Sequence, residues 1–442
     1  MKRNIQDFDI FYKFLRPIIA YATFCHYATM VVKGRNNLPK SGHYILAPCH
    51  QSALMDPLNV LCVTTRDIVF LARADIFENP VAHFFLTFLK ILPVYRIRDG
   101  KQNLSRNEAI FSTSEDVLVS GTPLCLMAEG THNHQHRMLP LVKGMFRIAG
   151  SAQHRLDPTP LYIVPVGLDY DEYERPYSNV VVNIGQPIDV RQFLPQFVDD
   201  EPTALNQMRD ALTQALHKQM LDIRDRDHYD EIIAACDIAN TSMRKAKGLA
   251  NTTWNRYTTR MLIADLLPDG CPEALDYDAL CHQLRVRRKV AADAWSWPLL
   301  LGATLLVAAF FVGLFMNGTF AHIVLFLFLC YPIAYLPTYF IPRRLIADPQ
   351  FRSSINFAIH FGLTILYIPI FSIIYGCVHG FCAGILAFVV ALLMQRLGGP
   401  IVNFVKAFVE HWHFRFVALS HAHEVKRLKE LQTIISRKIM NR

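Results

Sequence analysis

One short stretch of the chain carries residue types suited to acid–base chemistry. Residues 47–57 read Ala-Pro-Cys-His-Gln-Ser-Ala-Leu-Met-Asp-Pro, with His50 at the end of an apolar run and Asp56 after five intervening residues. A histidine titrates near neutral pH and can take the proton of an attacking hydroxyl, while a nearby carboxylate fixes its tautomer and stabilises the imidazolium. The pair therefore predicts general-base catalysis of attack by a hydroxyl group.

The spacing of His50 and Asp56 constrains how they can meet. Residues six apart lie about 240° apart around a regular helix, so these two side chains must come together through a turn. A loop histidine followed by a helix-capping aspartate is the alternative that the pair alone leaves open.

The segments around this pair alternate between strand and helix patterns. Short apolar runs predict strands at residues 44–47, 68–72, 124–127, 162–166 and 180–184. One predicted helix opens at Asn79-Pro80 and runs to about Ile91, and another runs from Leu104 to Ser120 and stops at Gly121. Strands separated by helices predict an α/β layered domain, with His50 at the end of one strand.

Several blocks between residues 31 and 187 resemble the phospholipid/glycerol acyltransferase family, which includes enzymes that acylate glycerol-3-phosphate and lysophosphatidic acid. The matching blocks stand in the family's order. They are His50 with Asp56, Leu92-Pro93-Val94-Tyr95-Arg96, Met127-Ala128-Glu129-Gly130-Thr131, Lys143-Gly144 and Val164-Pro165-Val166. Each block alone is a weak signal, but all of them in order are a strong one.

The resemblance implies a role for each matching residue. His50 would be the general base, oriented by Asp56, in direct transfer of an acyl group from acyl-CoA or acyl-carrier protein. Arg96 would bind an anionic acceptor, because a guanidinium can donate two parallel hydrogen bonds to a phosphate. Substrate binding is likewise implied for the residues of the later blocks, Glu129, Gly130, Thr131 and Lys143. No metal or organic cofactor is implied.

The chain departs from the family pattern at three points, which keeps other functions open. The His–Asp spacing has five intervening residues where four are commonest, Cys49 stands where Asn is common, and Ala128 and His132 replace Pro and Arg. The missing arginine makes an acceptor other than 1-acylglycerol-3-phosphate or glycerol-3-phosphate the first alternative, unless Arg98, Arg137 or Lys143 compensates. A non-enzymatic membrane scaffold that binds lipid is the second.

Two neighbouring groups suggest different chemistry. Cys49 could form an acyl-enzyme, but adjacent side chains of an extended segment point to opposite faces, so contact with His50 is awkward. His132, His134 and His136 alternate and could form a metal site, as could the tail histidines His411, His413, His421 and His423. A polar loop facing the acceptor and a solvated helix face are the interpretations we favour, so we expect no metal site.

The C-terminal third predicts a membrane region. Apolar stretches at residues 296–316, 319–341, 355–375 and 377–394 contain no Asp, Glu, Lys or Arg, and each has about the 20 residues needed to cross ~30 Å of hydrocarbon. Turns at Asn317-Gly318 and Gly376 would divide them into two hairpins. Arg343, Arg344, Arg352 and Arg396 flank the same side of the predicted spans. The positive-inside tendency therefore predicts an integral protein of the cytoplasmic membrane with its catalytic domain on the cytoplasmic side.

Composition supports this organisation and excludes other classes. Hydrophobic residues make up 52% of the 442 residues and charged residues 19%, which is too apolar for an ordinary soluble enzyme. The net charge of +8 suits contact with membrane lipids, and with no recognition motif we expect no nucleic acid partner. The ten cysteines lack paired spacing and are expected to be reduced. Lys13, Arg16 and Pro17 interrupt the first apolar segment, which argues against a signal peptide.

The predicted organisation has five parts. Residues 1–32 form a membrane-interface helix, 33–200 the acyltransferase domain, 201–294 a helical connector that ends in the basic run 285–289, 295–396 four transmembrane helices, and 397–442 an amphipathic basic tail.

Overall fold

The computed structural model describes residues 4–78, 80–95, 104–133, 135–173, 177–316, 346 and 349–442. Within these residues the chain forms two compact units. Unit 1 comprises Met1–Phe24, Val31–Tyr170 and Val181–Met220, and unit 2 comprises Cys25–Met30, Asp171–Val180 and Leu221–Arg442.

The core of unit 1 is a mixed sheet. Its described strands are β1 (Thr29–Lys33), β2 (His43–Pro48), β3 (Val69–Arg73), β4 (Ile91–Val94), β5 (Leu124–Cys125), β6 (Leu161–Tyr170), β7 (Asn179–Ile184) and β8 (Ile188–Asp189). They lie in the order β1-β7-β6-β2-β5-β3-β4, with β8 beside β6. The five neighbours β6, β2, β5, β3 and β4 run parallel, and β8 is antiparallel to β6. The predicted α/β layered fold is confirmed.

Helices connect these strands and cover the sheet. They are α1 (Ile10–His26), α2 (Met55–Leu61), α3 (Pro80–Phe88), α4 (Leu104–Val119), α5 (Gly144–Leu156), α6 (Leu194–Asp199) and α7 (Glu201–His217). Apolar residues of α4, α5 and α7, such as Leu118, Phe146 and Leu212, are fully buried in one cluster with Ile45 of β2 and Ile163 of β6. Because α7 contributes to this core, unit 1 continues past residue 200, where the helical connector was predicted to begin.

The helix predicted to reach Ile91 is shorter than expected. It ends at Phe88, Lys90 has a φ of 59°, and residues Ile91–Val94 form β4. Pro93 obscured this strand in the sequence because proline cannot donate a ladder hydrogen bond. The structure accommodates Pro93 because β4 is the last strand of the sheet and pairs on one side with β3.

Unit 2 is helical. It contains α8 (Tyr229–Ala246), α9 (Thr253–Asp265), α10 (Glu273–Gln283), α11 (Arg288–Ala292), α12 (Trp297–Met316), α13 (Pro349–His379), α14 (Phe381–Ser420) and α15 (Ala422–Met440). Leu428 and Ile435 on the apolar face of α15 are buried with Ile238 of α8, Ile263 of α9 and Tyr277 of α10. The amphipathic end of the chain therefore docks into a helical core, and the boundary predicted at residue 397 falls inside the continuous helix α14.

Two helices of unit 2 are long and apolar enough to cross a bilayer. They are Phe351–His379 within α13 and Phe381–Ser420, with mean hydropathies of 2.0 and 1.9, and they indicate membrane association. Helix α12, Trp297–Met316, lies within the predicted span 296–316. The predicted span 319–341 and the turn at Asn317-Gly318 lie outside the described residues.

The turn between α13 and α14 lies at Gly380 rather than at the predicted Gly376. Gly380 adopts a φ of 97°, in the region that favours glycine. Gly376 continues the helix and packs against Gly384, where an added Cβ would lie 2.9 Å from the Cα of Gly376. The prediction was wrong because glycine also serves close helix–helix approach, which a single sequence does not distinguish from a turn.

We expect Gly167→Ala to destabilise unit 1. A Cβ at Gly167, in β6, would lie 1.6 Å from the carbonyl oxygen of Gln219, so backbone must shift at a cost of about 3 kcal/mol or more. Thermal unfolding of the purified protein in detergent measures this. Gly302→Ala is the matched control, because its Cβ meets nothing within 4 Å. Equal unfolding temperatures for the two variants would contradict the packing described here.

Candidate active site

The residues suited to catalysis gather at one edge of the sheet. His50 follows β2, Glu129 follows β5, and Tyr170 ends β6. These strands are parallel neighbours, so their carboxyl ends lie side by side. Ligands of open α/β sheets bind in the crevice outside the carboxyl ends of the strands.

The structure brings His50 and Asp56 together through a turn. The distance from His50 Nδ1 to Asp56 Oδ2 is 2.7 Å. Between them Ala53 has a φ of 34°, and the Met55 amide donates to the Ser52 carbonyl at 2.7 Å. Helix α2 starts at Met55, so Asp56 stands in its first turn, directed back at the imidazole.

A set of donors surrounds the carboxylate of Asp56, which is fully buried. Its Oδ2 accepts the amides of Gln51 and Ser52, each at 2.7 Å, and its Oδ1 accepts the hydroxyl of Tyr170. Asn59 Nδ2 donates to the same hydroxyl at 2.9 Å. These bonds satisfy a buried charge and fix its orientation.

The donors on Asp56 determine which nitrogen of His50 can act as a base. Nδ1–H donated to the carboxylate leaves the lone pair on Nε2. The His50 side chain is 15% exposed while that of Asp56 is 0% exposed. A partly exposed imidazole held by a buried carboxylate is the arrangement expected of a general base and its orienting group.

Tyr170 and Asn59 were missed in the sequence. Tyr170 lies 114 residues from Asp56, at the end of a strand where an aromatic residue has no special meaning. Only the parallel pairing of β2 with β6 places the end of β6 beside the turn that follows β2. No local pattern in the chain signals this contact.

Glu129 positions the backbone around His50. Its Oε1 accepts the His50 amide at 2.8 Å, its Oε2 accepts the Leu139 amide at 2.9 Å, and the residue is 4% exposed. The Asn133 amide donates in turn to the His50 carbonyl at 3.1 Å. The carboxylate therefore links the segment after β2 to the segment after β5. Both Glu129 oxygens thus accept backbone amides, and the contact with substrate expected from the sequence stays a prediction.

The other predicted substrate-binding residues do not contact the His50–Asp56 pair through their described side chains. Gly130 turns the chain with a φ of 66°. Thr131 is half-buried and Lys143 is exposed directly before α5. Among the described residues, neither side chain forms a hydrogen bond or ion pair with His50 or Asp56. Arg96 lies outside the described residues, as does Arg98.

Comparison with known proteins identifies the family. A family model described as "Acyltransferase" matches residues 29–169, which include every residue of the site described above apart from Tyr170. This match places residues 29–169 in the acyltransferase family. Relatives of the chain include 1-acyl-sn-glycerol-3-phosphate acyltransferase alpha of Mus musculus, 23% identical over 218 residues that cover 48% of this chain and 70% of the relative. The Homo sapiens protein of the same name is 23% identical over 234 residues, which cover 51% of this chain and 76% of the relative.

A solved structure is also similar to part of the acyltransferase. It is the crystal structure of the 1-acyl-sn-glycerophosphate (LPA) acyltransferase PlsC from Thermotoga maritima. The sequences are 20% identical, the match covers 46% of this chain and 78% of that chain, and the TM-score is 0.34.

The alternating histidines His132 and His136 have different neighbours in the structure. The His132 ring meets the His50 ring edge-on, with centroids 5.3 Å apart. His136 is buried and its Nδ1 lies 3.1 Å from Oδ1 of the buried Asp169. His134 lies outside the described residues. Within the part of the chain that the structure describes, His, Cys, Asp and Glu side chains form no group of three or more that could hold a metal ion.

Cys49 is poorly suited to be a nucleophile. The thiol is fully buried, donates to the Leu168 carbonyl at 3.6 Å and accepts the Leu168 amide at 3.1 Å. Burial, and then the charges of Glu129 and Asp56, raise the pKa of the Cys49 thiol well above its usual range. Because the thiolate is the reactive form, this environment opposes a covalent acyl-enzyme.

We expect Cys49→Ala to keep acyl transfer within about tenfold of the wild-type rate, at a cost in stability of about 1–3 kcal/mol for the lost packing and the unpaired amide. Turnover and thermal unfolding of the purified protein measure the two effects. Cys125→Ala, which also removes a buried thiol, is the control for packing. A folded Cys49→Ala protein without any turnover would contradict this expectation and favour a covalent route.

Proposed function

We propose that this acyltransferase moves a fatty acyl group from acyl-CoA or acyl-carrier protein to the hydroxyl of 1-acylglycerol-3-phosphate or glycerol-3-phosphate in phospholipid synthesis. The observation that carries the proposal is the 2.7 Å contact between His50 and Asp56 at the carboxyl edge of the sheet. The relatives' names, which specify 1-acyl-sn-glycerol-3-phosphate, support this acceptor class.

The proposed reaction is a direct transfer. His50 Nε2 takes the proton of the acceptor hydroxyl as its oxygen attacks the thioester carbonyl carbon. The buried carboxylate of Asp56 stabilises the imidazolium that forms. Collapse of the tetrahedral intermediate makes the ester and breaks the carbon–sulfur bond, and the proton on His50 passes to the departing thiolate. The sequence of steps requires no metal or organic cofactor.

Recognition of the acceptor phosphate is proposed for Arg96, Gly130, Thr131 and Lys143. An arginine fork suits a phosphate, and exposed Lys143 adds a positive charge directly before α5. In this proposal Glu129 acts indirectly, because both of its oxygens already accept backbone amides. Its part is to hold His50 in place.

The proposed location is the cytoplasmic membrane, with the catalytic domain on the cytoplasmic side. The two long apolar helices support membrane association, and the arginines flanking the predicted spans support the sidedness. A site at the bilayer surface would let a fatty acyl chain stay in lipid throughout the transfer. Soluble carriers that present the acyl thioester from the cytoplasm would reach it directly.

A different lyso-lipid acceptor is the second candidate. The observation that favours it is His132, whose ring contacts the ring of His50. At this position the family pattern has an arginine, which is always charged, whereas a histidine can be neutral. A histidine can donate a hydrogen bond to an acceptor that lacks phosphate. The match of residues 29–169 to the acyltransferase family model disfavours the non-enzymatic scaffold considered from the sequence.

His50→Ala should lower the acyl-transfer rate by about 10²–10⁴-fold, since that is what a positioned general base contributes. The assay is transfer from a labelled acyl thioester by purified protein in detergent, with thermal unfolding as a check on the fold. His154→Ala, at an exposed histidine on α5 in the same unit, should leave the rate unchanged. Equal rates for the two variants would contradict the proposal that His50 is the general base.

The acceptor assignment is tested with a panel of lyso-lipids offered to the wild-type protein. We expect transfer to 1-acylglycerol-3-phosphate or glycerol-3-phosphate, and rates at least about tenfold lower with phosphate-free lyso-lipids, because an arginine-phosphate contact is worth about 1.5–3 kcal/mol. Activity confined to phosphate-free acceptors would contradict the proposed acceptor but would remain consistent with the proposed acyl-transfer mechanism.

A further inference from the structure

A buried tyrosine reaches the His50–Asp56 pair from a distant part of unit 1. Tyr170 ends β6, is 2% exposed, and donates its hydroxyl hydrogen to Oδ1 of Asp56. His50 Nδ1 lies 2.7 Å from Oδ2 of the same carboxylate. The tyrosine and the histidine therefore share one hydrogen-bond acceptor. The acyl-transfer steps proposed above use the histidine but assign no part to the tyrosine.

Asn59 fixes the direction in which this hydroxyl points. Asn59 is fully buried, and its Nδ2 donates to the Tyr170 oxygen at 2.9 Å. A tyrosine hydroxyl carries a single hydrogen and accepts through its lone pairs. Because the amide of Asn59 occupies an acceptor position, the single hydrogen points at Asp56. The two residues thus form a short chain of hydrogen bonds that ends on the carboxylate.

The hydroxyl of Tyr170 acts on the charge of Asp56. Oδ2 of Asp56 already accepts the amides of Gln51 and Ser52, each at 2.7 Å, and the hydroxyl adds a donor on Oδ1. Each such bond stabilises the ionised carboxylate. That negative charge is uncompensated while the imidazole is neutral and is largely balanced once the imidazolium forms. A donor on the carboxylate therefore favours the neutral imidazole over the imidazolium.

This balance matters for the proposed chemistry of His50. The imidazole must take a proton from the acceptor hydroxyl and later return it to the departing thiolate. General-base catalysis is most efficient when the base is neither too weak nor already protonated at the working pH. Asp56 by itself favours the imidazolium, and a donor on its other oxygen opposes that preference.

We propose that the buried Tyr170 hydroxyl, oriented by Asn59, is a positioning group that sets how readily the His50–Asp56 pair takes up a proton. The inference rests on the proposed function, because it requires His50 to be the general base. Tyr170 acts through Asp56 rather than on the substrate. Its hydroxyl keeps the imidazole neutral, and therefore available as a base, at a lower pH than the pair would reach without it.

Other titratable groups surround the pair within the described part of unit 1. They are Cys49 after β2, Glu129 and His132 after β5, and the buried contact of His136 with Asp169 of β6. Each of them contributes to the proton uptake of the pair in the wild-type protein. All of them are retained when only the Tyr170 hydroxyl is removed. Comparison of Tyr170→Phe with wild type therefore isolates the effect of this one group.

The test is the pH dependence of kcat/KM for acyl transfer by the purified full-length protein in detergent. The rate rises with pH as the base loses its proton, and Tyr170→Phe should move the midpoint of this rise to higher pH by about 0.5–1 unit, the effect of one hydrogen bond to a carboxylate. Well below the midpoint the rate then falls about three- to tenfold, while above it the rate stays close to wild type. Every protein is assayed with the same acceptor, so titration of the acceptor cancels in the comparison.

Tyr44→Phe is the matched control. Tyr44 lies on β2 and is fully buried, and among the described residues its hydroxyl has no hydrogen-bond partner. Removing this hydroxyl should leave the midpoint unchanged.

Asn59→Leu is a second test of the same inference, and it retains the tyrosine. Without the amide the hydroxyl hydrogen is no longer directed at Asp56, so the midpoint should also move to higher pH, but by less than in Tyr170→Phe. Thermal unfolding shows whether each variant is folded, and the Asn59 variant provides the answer if Tyr170→Phe does not fold.

Two results would overturn the inference. A rate lowered equally at every pH, with an unchanged midpoint, would give Tyr170 a structural role alone, and a midpoint moved to lower pH would contradict the charge argument. His50→Ala separates these results from failure of the proposed function. If His50→Ala retains transfer, the general base and this inference both fail. If it loses transfer while Tyr170→Phe keeps the wild-type midpoint, only this inference fails.

Discussion

The candidate active site depends on one buried carboxylate. Asp56 has no exposed surface, and an unpaired charge in such a place would be very costly. Its stability comes from two backbone amides, the Tyr170 hydroxyl and the His50 imidazole. Each of these donors also fixes part of the structure: the turn after β2, the end of β6 and the tautomer of the histidine. The interactions that satisfy the buried charge therefore also orient the proposed general base.

A second buried carboxylate organises unit 2 in a similar way. The basic run at residues 285–289 could have faced a membrane surface, but Arg288 and Lys289 instead approach Asp237 at 2.8 and 3.6 Å. Burial by itself would raise the pKa of Asp237, yet Lys289 and Arg288 outweigh it and lower the pKa to about 2. The preceding Arg287 binds Glu172 and Glu410. The basic run thus serves internal ion pairing within this unit.

Two kinds of pairing therefore divide the acyltransferase by chemical task. In unit 1 a partly exposed histidine is backed by a carboxylate, which allows a proton to be taken and returned. In unit 2 guanidinium groups meet carboxylates and stay charged throughout the ordinary pH range. The first arrangement suits catalysis, and the second suits holding helices together.

The sequence by itself determined the parts that depend on local pattern. Apolar runs between helical segments predicted the α/β layers, and the resemblance of the His50–Asp56 and Glu129-Gly130-Thr131 blocks to the phospholipid/glycerol acyltransferase family implied acyl transfer. The long stretches without charge predicted helices that could cross a membrane, two of which lie within the described residues. These signals survive in a single sequence because side-chain periodicity and short-range spacing are properties of the chain itself.

Only the tertiary structure decided the contacts between distant segments. Parallel pairing of β2 with β6 brought Tyr170 to Asp56, and pairing of β2 with β5 brought Glu129 to the backbone of His50. The edge position of β4 made Pro93 acceptable in a strand, and close approach of two helices used Gly376 where a turn was expected. The physical reason is the same in each case. A residue's role was set by what packs against it, and packing partners far apart in sequence leave no trace in local spacing.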